Sequence, residues 1–410
     1  MTTVQLRRMA WLNPATPEFL STTEDVTFVP LEAVWPNGRA DFSRRADVSD
    51  VASGYTRFRA GDVLQPKVTP TFAHGRSTVA AIDTPVGAAS TEVHVLRAKS
   101  HACARYLAYV GQSRPFISEG MTRVEGVGNL LRVPPEFVAQ YRLPLMSRTE
   151  QEEIADFLDR ETAQIDAMIE AQERVVHLSQ EHRAAVVAQT LEAVETEGAP
   201  TVPLRYCLMV HSGVTLGNKP SEDYEEYPYL RVANVQTGWL DLNVIKTVRV
   251  APDVARRAML RTGDVLITEG GDRTALGRGA LWRGEIPGAL HQNHIFALRC
   301  RDCLDPSFLV YVLDAPAARI HFESTRRQTT NLSSTNTAKV KAFKTPLPPV
   351  TRQKEIVAEL DGALERVNEV IAAAQRVTIL LRERREALIT AAVSGRIDPI
   401  TGIERIEEAS

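Results

Sequence analysis

The sequence predicts an α+β protein in which two globular blocks are separated by two long helices that pair as an antiparallel coiled coil, giving an internal pseudo-twofold repeat. Three observations predict it. The second half of the chain restates the first at a fixed offset of 202 residues. Each copy ends in a long stretch with apolar residues at alternating steps of three and four. The stretches between them read as short strands and turns.

The repeat comes first, because a missed repeat misassigns a whole fold. TEQEEIADFLD (Thr149–Asp159) returns as TRQKEIVAELD (Thr351–Asp361), and 16 of the 48 positions from 144 to 191 are identical to their partners. Upstream, FRAGDVL (Phe58–Leu64) returns as LRTGDVL (Leu260–Leu266), YLAYV (Tyr106–Val110) as FLVYV (Phe308–Val312), and Asn129-Leu130 as Asn331-Leu332. The predicted organisation is a block over 1–143, a spacer helix over 144–198, a second block over 199–345, a second spacer helix over 346–395 and a tail over 396–410.

The helices follow from heptad spacing. In the second copy Leu360, Leu364, Val367, Ile371, Ala374, Thr378, Leu381 and Leu388 fall on one seam, interrupted by Arg385. In the first, Leu158, Thr162, Ile165, Ile169, Gln172, Val176, Ser179 and Val186 hold the same frame. Such spacing packs helices along their length. Ser147 or Thr149, and Thr351, are plausible N-caps, and Gly198 and Gly395 close the helices. Each is expected to run about 40 residues, roughly 60 Å. A seam weakened by Thr162, Gln172 and Ser179 suits a richer partner helix, so the two are expected to pair inside one chain. Antiparallel pairing would set the blocks at opposite ends of a rod.

Within the second block, YPYLRVANVQTGWLDL (Tyr227–Leu242) reads as two strands around Thr237-Gly238. DVLIT (Asp264–Thr268), ALW (Ala280–Trp282) and HIFALRC (His294–Cys300) have strand composition. PSFLVYVLDAPAARIHFE (Pro306–Glu323) is helical in period.

Composition excludes several classes. At 44% hydrophobic and 24% charged residues the chain is ordinary for a globular protein, and no apolar run reaches the 18 or so residues of a membrane span. Four scattered cysteines do not make a disulfide scaffold, which fits a reducing cytoplasm. The net charge of −3 is unevenly spread. Residues 1–146 carry +3 and 200–345 carry +5, whereas 147–199 carry −9 and 346–410 carry −2. Catalytic motifs are absent: there is no phosphate-binding loop, no glycine-rich SAM motif after a first strand, and no Asn/Asp-Pro-Pro-Tyr/Phe tetrapeptide. Asp264, Glu269 and Asp272 lack the lysine that would complete a nuclease constellation. Neither a catalytic residue nor a cofactor is expected. His291 with His294, and Cys300 with Cys303, each lack the further ligands that zinc requires, so no metal is expected.

Polar segments mark candidate ligand contacts. EGGDRTALGRG (Glu269–Gly279) supplies Gly270 for close backbone approach, with Asp272, Arg273 and Arg278, although a structural turn would read the same. Gln292 and Asn293 carry the amides that recognise adenine edges, or that cap a strand. RRQTTNLS (Arg326–Ser333) offers Arg327, Thr330 and Asn331 for phosphate positioning, or for its own backbone. In the first block the corresponding candidates are Lys67, Thr69, His74, Arg76 and Arg97.

These segments carry a family resemblance. YLRVANVQTGWLDL, LRTGDVLITEGGDRTALGRGALW, HQNHIFALR, RQTTNLSS and the PLPPVTRQKEIV start of the helix occur in an order that resembles a target recognition domain of type I restriction-modification specificity subunits. YTRFRAGDVLQPKVTPTF, STEVHVLR and LPLMSRTEQEEI resemble the same unit in the first block. The resemblance implies a non-catalytic subunit whose two domains bind a bipartite site on double-stranded DNA. Methyltransferase subunits, two of them, dock on it, and restriction subunits join through the complex. It also implies DNA contact for the polar segments above. A coiled-coil scaffold with protein-binding ends is the alternative, and salt-sensitive, site-specific duplex binding separates the two.

Overall fold

The computed structural model describes residues 2–21, 25–128, 131–215, 223–271, 279–325, 327–328 and 333–402. The chain divides into two compact units, Met1–Glu173 with Gln375–Ser410, and Arg174–Ala374. The long helices are Arg148–Thr196 and Val350–Val393, 49 and 44 residues. Each unit therefore contains one block, the first half of the helix that follows it and the second half of the other helix.

Local chemistry sets the helix ends. Ser147 and Glu150 form a reciprocal capping box: the Ser147 amide donates to the Glu150 carboxylate at 2.7 Å, and the Glu150 amide donates to the Ser147 hydroxyl at 3.3 Å. Thr351, expected as a cap, instead lies inside the first turn, because the helix already starts at Val350 after two prolines. Gly198 and Gly395 close the helices at φ +90° and +74°. Bonds from Ala199 N to Val194 O and from Arg396 N to Ala391 O satisfy the last carbonyls.

In the first unit a four-stranded antiparallel sheet runs in the spatial order Ala10–Leu12, Val93–Ala98, Val63–Pro66, Thr78–Val79. A second sheet sets Val26–Val29 parallel to Val86–Ala89, flanked by Arg45–Ala46 and Thr56–Arg59. The second unit repeats the first sheet as Leu208–Ser212, Ile295–Cys300, Asp264–Thr268, Gly279–Leu281. It repeats the parallel pairing between Glu225–Leu230 and Leu290–His291. Short antiparallel pairs, Thr3–Gln5 with Arg142–Pro144 and Thr201–Pro203 with Lys344–Pro346, tie the two ends of each block together just before its helix.

Two expected elements differ. The antiparallel partner of Glu225–Leu230 is Lys246–Val250. The Thr237-Gly238 turn is instead a tight reversal closed by Gln236 N donating to Trp239 O at 3.0 Å. The helical stretch from Pro306 breaks into Pro306–Asp314 and Pro316–Thr325, because proline removes the amide needed to continue the first helix.

The seam residues face inward. Leu158, Ile165, Leu360 and Leu364 are fully buried, and Ile169, Val367, Ile371 and Leu381 are half-buried. Within the first unit Glu173 pairs with Arg382 and Asp166 with Arg385, an antiparallel run. The helices are also bedded on the blocks. Leu158, Ile389 and Val393 join Tyr106, Phe116 and Phe137 in one core, whereas Val187, Leu191, Leu360 and Leu364 join Phe308 and Phe322 in the other. Each such side chain contributes about 1.5–3 kcal/mol by leaving water. Ile397, assigned from sequence to the tail, packs into the first core.

Candidate nucleic-acid interface

One buried ion pair organises each block. Arg97 donates from Nε and Nη2 to the two Asp62 oxygens at 2.9 and 2.8 Å, and Arg299 does the same to Asp264 at 2.8 and 2.7 Å. The carboxylates also accept the backbone amides of Arg59 and Arg261, both at 2.8 Å. Arg97, a candidate DNA contact from sequence, is engaged inside the fold. Its side chain is 14% exposed, and its remaining donors go to Ala15 O and the Thr16 hydroxyl. A guanidinium spent on a buried carboxylate has no fork left to offer a base.

The pair fastens one end of the two central strands, and the candidate contacts lie at the other end. In the second unit, Asp264–Thr268 runs into Glu269, and Ile295–Cys300 emerges from the His291–His294 turn. Glu269 N donates to His294 O at 2.8 Å and Thr335 N donates to Glu269 O at 2.8 Å. Beyond them Gly270–Gly271, Ser333–Ser334 and Arg327–Gln328 pair as a small antiparallel ribbon. Gly270 and Arg327, 57 positions apart in sequence, therefore lie on strands joined by the one between them. Asp272, Arg273, Arg278, Thr330 and Asn331 lie outside the described residues.

Around the foot of the ribbon, Gln292 and Asn293 are half-buried. Their backbone N–H groups donate to Leu230 O and Val214 O, and Gln292 Oε1 accepts weakly from Val232 N at 3.4 Å. His291 is buried with Nδ1 2.9 Å from Ile295 O, and burial pushes its pKa down to about 4, so it is neutral. His294 reaches solvent and contacts the Glu269 carboxylate at 3.0 Å.

The first unit rebuilds this arrangement at the 202-residue offset. Lys67 N donates to Glu92 O at 2.9 Å and Val133 N to Lys67 O at 2.8 Å. Val68 and Glu125 both bridge to Arg132 in antiparallel register, matching Gly270 and Arg327 on Ser334. Thr69 donates its amide and hydroxyl to Leu131 O, so its polar atoms serve the ribbon itself. Arg76 turns away, its Nη1 donating to Val34 O at 3.0 Å, while His74 is exposed and Lys67 half-buried. Sequence reading missed Arg132 and Glu92, joined by two bonds of 2.8 Å. Those bonds, with Lys67 nearby, hold the Glu92 carboxyl below the usual carboxylate range. The signal was within reach, since Arg132 lies two residues beyond the Asn129-Leu130 match.

Among the described residues no group of three or more His, Cys, Asp or Glu could hold a metal ion, and no helix is long and apolar enough to cross a membrane. Cys207, isolated in sequence, lies beside Cys303; burial first, then that neighbour, pushes its thiol up to about 11.

No protein-family model matches the chain. The type I restriction enzyme EcoEI specificity subunit of Escherichia coli is 28% identical over 156 residues, 37% of this chain and 26% of that protein. The EcoKI specificity subunit of Escherichia coli is 24% identical over 302 residues, 69% of this chain and 65% of that protein. These matches thus span from about a quarter to just under two thirds of the relatives' length. The same fold occurs in a solved chain from work on complex assembly and conformational transition of the type I R-M system. That chain is 20% identical, with a TM-score of 0.58 and 96% of this chain and 97% of that chain covered. With the duplicated blocks in place and the same subunit named by several curated relatives, the chain is similar to the specificity subunits of type I restriction enzymes.

Proposed function

We propose that this chain supplies the DNA sequence specificity of a type I restriction-modification complex and performs no chemistry itself. Each block reads one half of a bipartite duplex target, the unread base pairs lie between, and methyltransferase subunits, two per chain, dock on the assembly and bring restriction subunits with them. The site of action is the cytoplasm.

The observation that carries this reading is the duplicated ribbon. The same backbone frame appears once in each block, and candidate polar side chains occupy it, as two readers of related build would require. Both block segments carry net positive charge, +3 and +5, which favours a polyanion. Side chains at the ribbon foot offer amides for base edges and a lysine for phosphate.

Methylome mapping in a host carrying the cognate methyltransferase, with and without this chain, tests the proposal. A bipartite methylated motif that appears only with the chain supports it. Methylation that is unchanged by the chain, or methyl transfer by the pure chain alone, sinks it.

A further inference from the structure

Arg183 and Arg385 occupy the same place in the two helices, 202 residues apart, and both interrupt a seam made otherwise of apolar or uncharged polar residues. Burying a guanidinium is costly unless it is paired, and both are nearly buried, at 13% and 11% exposure. In the first unit, Arg385 Nε lies 3.0 Å from Asp166 on the first helix, and Nη2 donates to the Asn37 carbonyl at 3.0 Å. Asn37, at φ +66°, sits in a reversal closed by Trp35 N donating to Arg39 O at 2.9 Å. The next carbonyl, Gly38 O, accepts the Thr78 hydroxyl at 2.8 Å. Thr78 opens the strand that leaves Gly75-Arg76.

The second unit sets the equivalent arginine beside a reversal as well, without the hydrogen bond to its backbone. Arg183 pairs with Asp314 at the end of the helix Pro306–Asp314. Its guanidinium also lies against the Gly238 reversal, where an added Cβ would come within 3.5 Å of it. Gly238 N donates to Gly279 O at 2.9 Å, and Gly279 opens the equivalent strand. The carboxylates, however, are not equivalent: the repeat partner of Asp166 is Asn368, and that of Asp314 is Gln112. The arginine's place beside the turn recurs although the paired acid has moved, so it is not one inherited ion pair.

We propose that Arg385 and Arg183 are positioning residues for DNA recognition. Each locks the reversal of its unit's block, and through it a strand next to the reading face, against the helices of that unit. This rests on the function proposed above. Without the lock a block keeps its fold and its positive charge but pivots, so mismatched half-sites lose less relative to the correct one. A misplacement of about 1 Å is enough to cost large factors in an oriented reaction.

The test is methylation, by the full chain with its methyltransferase, of a duplex library randomised at one half-site at a time, with thermal melting in parallel. Arg385→Ala should reduce discrimination at the first half-site roughly tenfold, within the range that misplacement produces, and leave the second unchanged. Arg183→Ala should do the reverse. Arg385→Lys and Arg183→Lys keep the charge but not the fork, and should fall between wild type and alanine. They also keep the test open if an alanine variant fails to fold. An equal loss at both half-sites that follows melting temperature, or no change in discrimination, overturns the positioning role. A wild-type complex with no bipartite preference overturns the functional reading instead.

Discussion

At the foot of the two ribbons the backbone is one design and the charges are two. Lys67 and Glu269 hold the same place, each donating its amide to a carbonyl across the sheet and accepting the amide of Val133 or Thr335. The facing residues are Glu92, tied bidentately to Arg132, and His294, in contact with Glu269. A basic residue stands opposite an acid in the first unit, and an acid opposite a histidine in the second. Backbone hydrogen bonds tolerate any side chain pointing away from the ladder, so the frame persists while its chemistry diverges. That is the behaviour expected of two readers for different half-sites.

The largest expected effect tests whether the frames are equivalent underneath. Replacing Arg97 or Arg299 by methionine leaves a buried carboxylate without its partner and should cost about 3–5 kcal/mol in either unit. Urea unfolding of the two variants checks this, and a loss in one variant only would break the equivalence.

The next effect separates the units. His291 is held neutral by burial, with its pKa near 4, whereas the unfolded residue takes a proton near 6.5. The unfolded state therefore binds more protons between these values. The stability contribution is fully present above about pH 6.5 and is lost as pH falls towards 4, on the order of 3 kcal/mol in total. Ala89 holds the corresponding position in the first unit. His94, also depressed chiefly by burial, acts there in the same direction. Unfolding free energies at pH 7.5 and 5 should show a steeper acid loss in wild type than in His291→Gln. Parallel curves would remove His291 from the account.

Smaller still, Asn293→Ala should cost about 1–3 kcal/mol of discrimination at the second half-site alone, the worth of one bidentate base contact. Half-site library methylation reads it, and an equal loss at both half-sites would reassign Asn293 to folding. The smallest effect is Lys67→Ala, expected to lower the salt slope of duplex binding by about one counterion with no change in sequence preference. Altered preference at the first half-site would promote Lys67 from phosphate contact to reader.

Much of this was legible because a repeat preserves offsets. Asp62 and Asp264 lie inside the matched FRAGDVL and LRTGDVL segments, and Arg97 and Arg299 are also 202 residues apart, yet nothing local joins either acid to an arginine 35 residues away. From local sequence Arg97 therefore reads as an open contact rather than a buried partner of Asp62. Likewise, nothing local shows that the Arg76 guanidinium bonds Val34 O.

Sequence by itself determined the duplication, the two helices and their seam, and the strands Asp264–Thr268 and Ile295–Cys300. These depend on periodicity and local propensity, which are written residue by residue. Tertiary structure decided which polar groups are already spent. It buried Arg97 on Asp62, pinned Arg183 and Arg385 in the seam, and raised Arg132 beside Glu92 as a feature of the first ribbon. A polar side chain buried without a partner is expensive, so its partner is chosen by proximity across the fold, and that proximity exists only once distant strands have met.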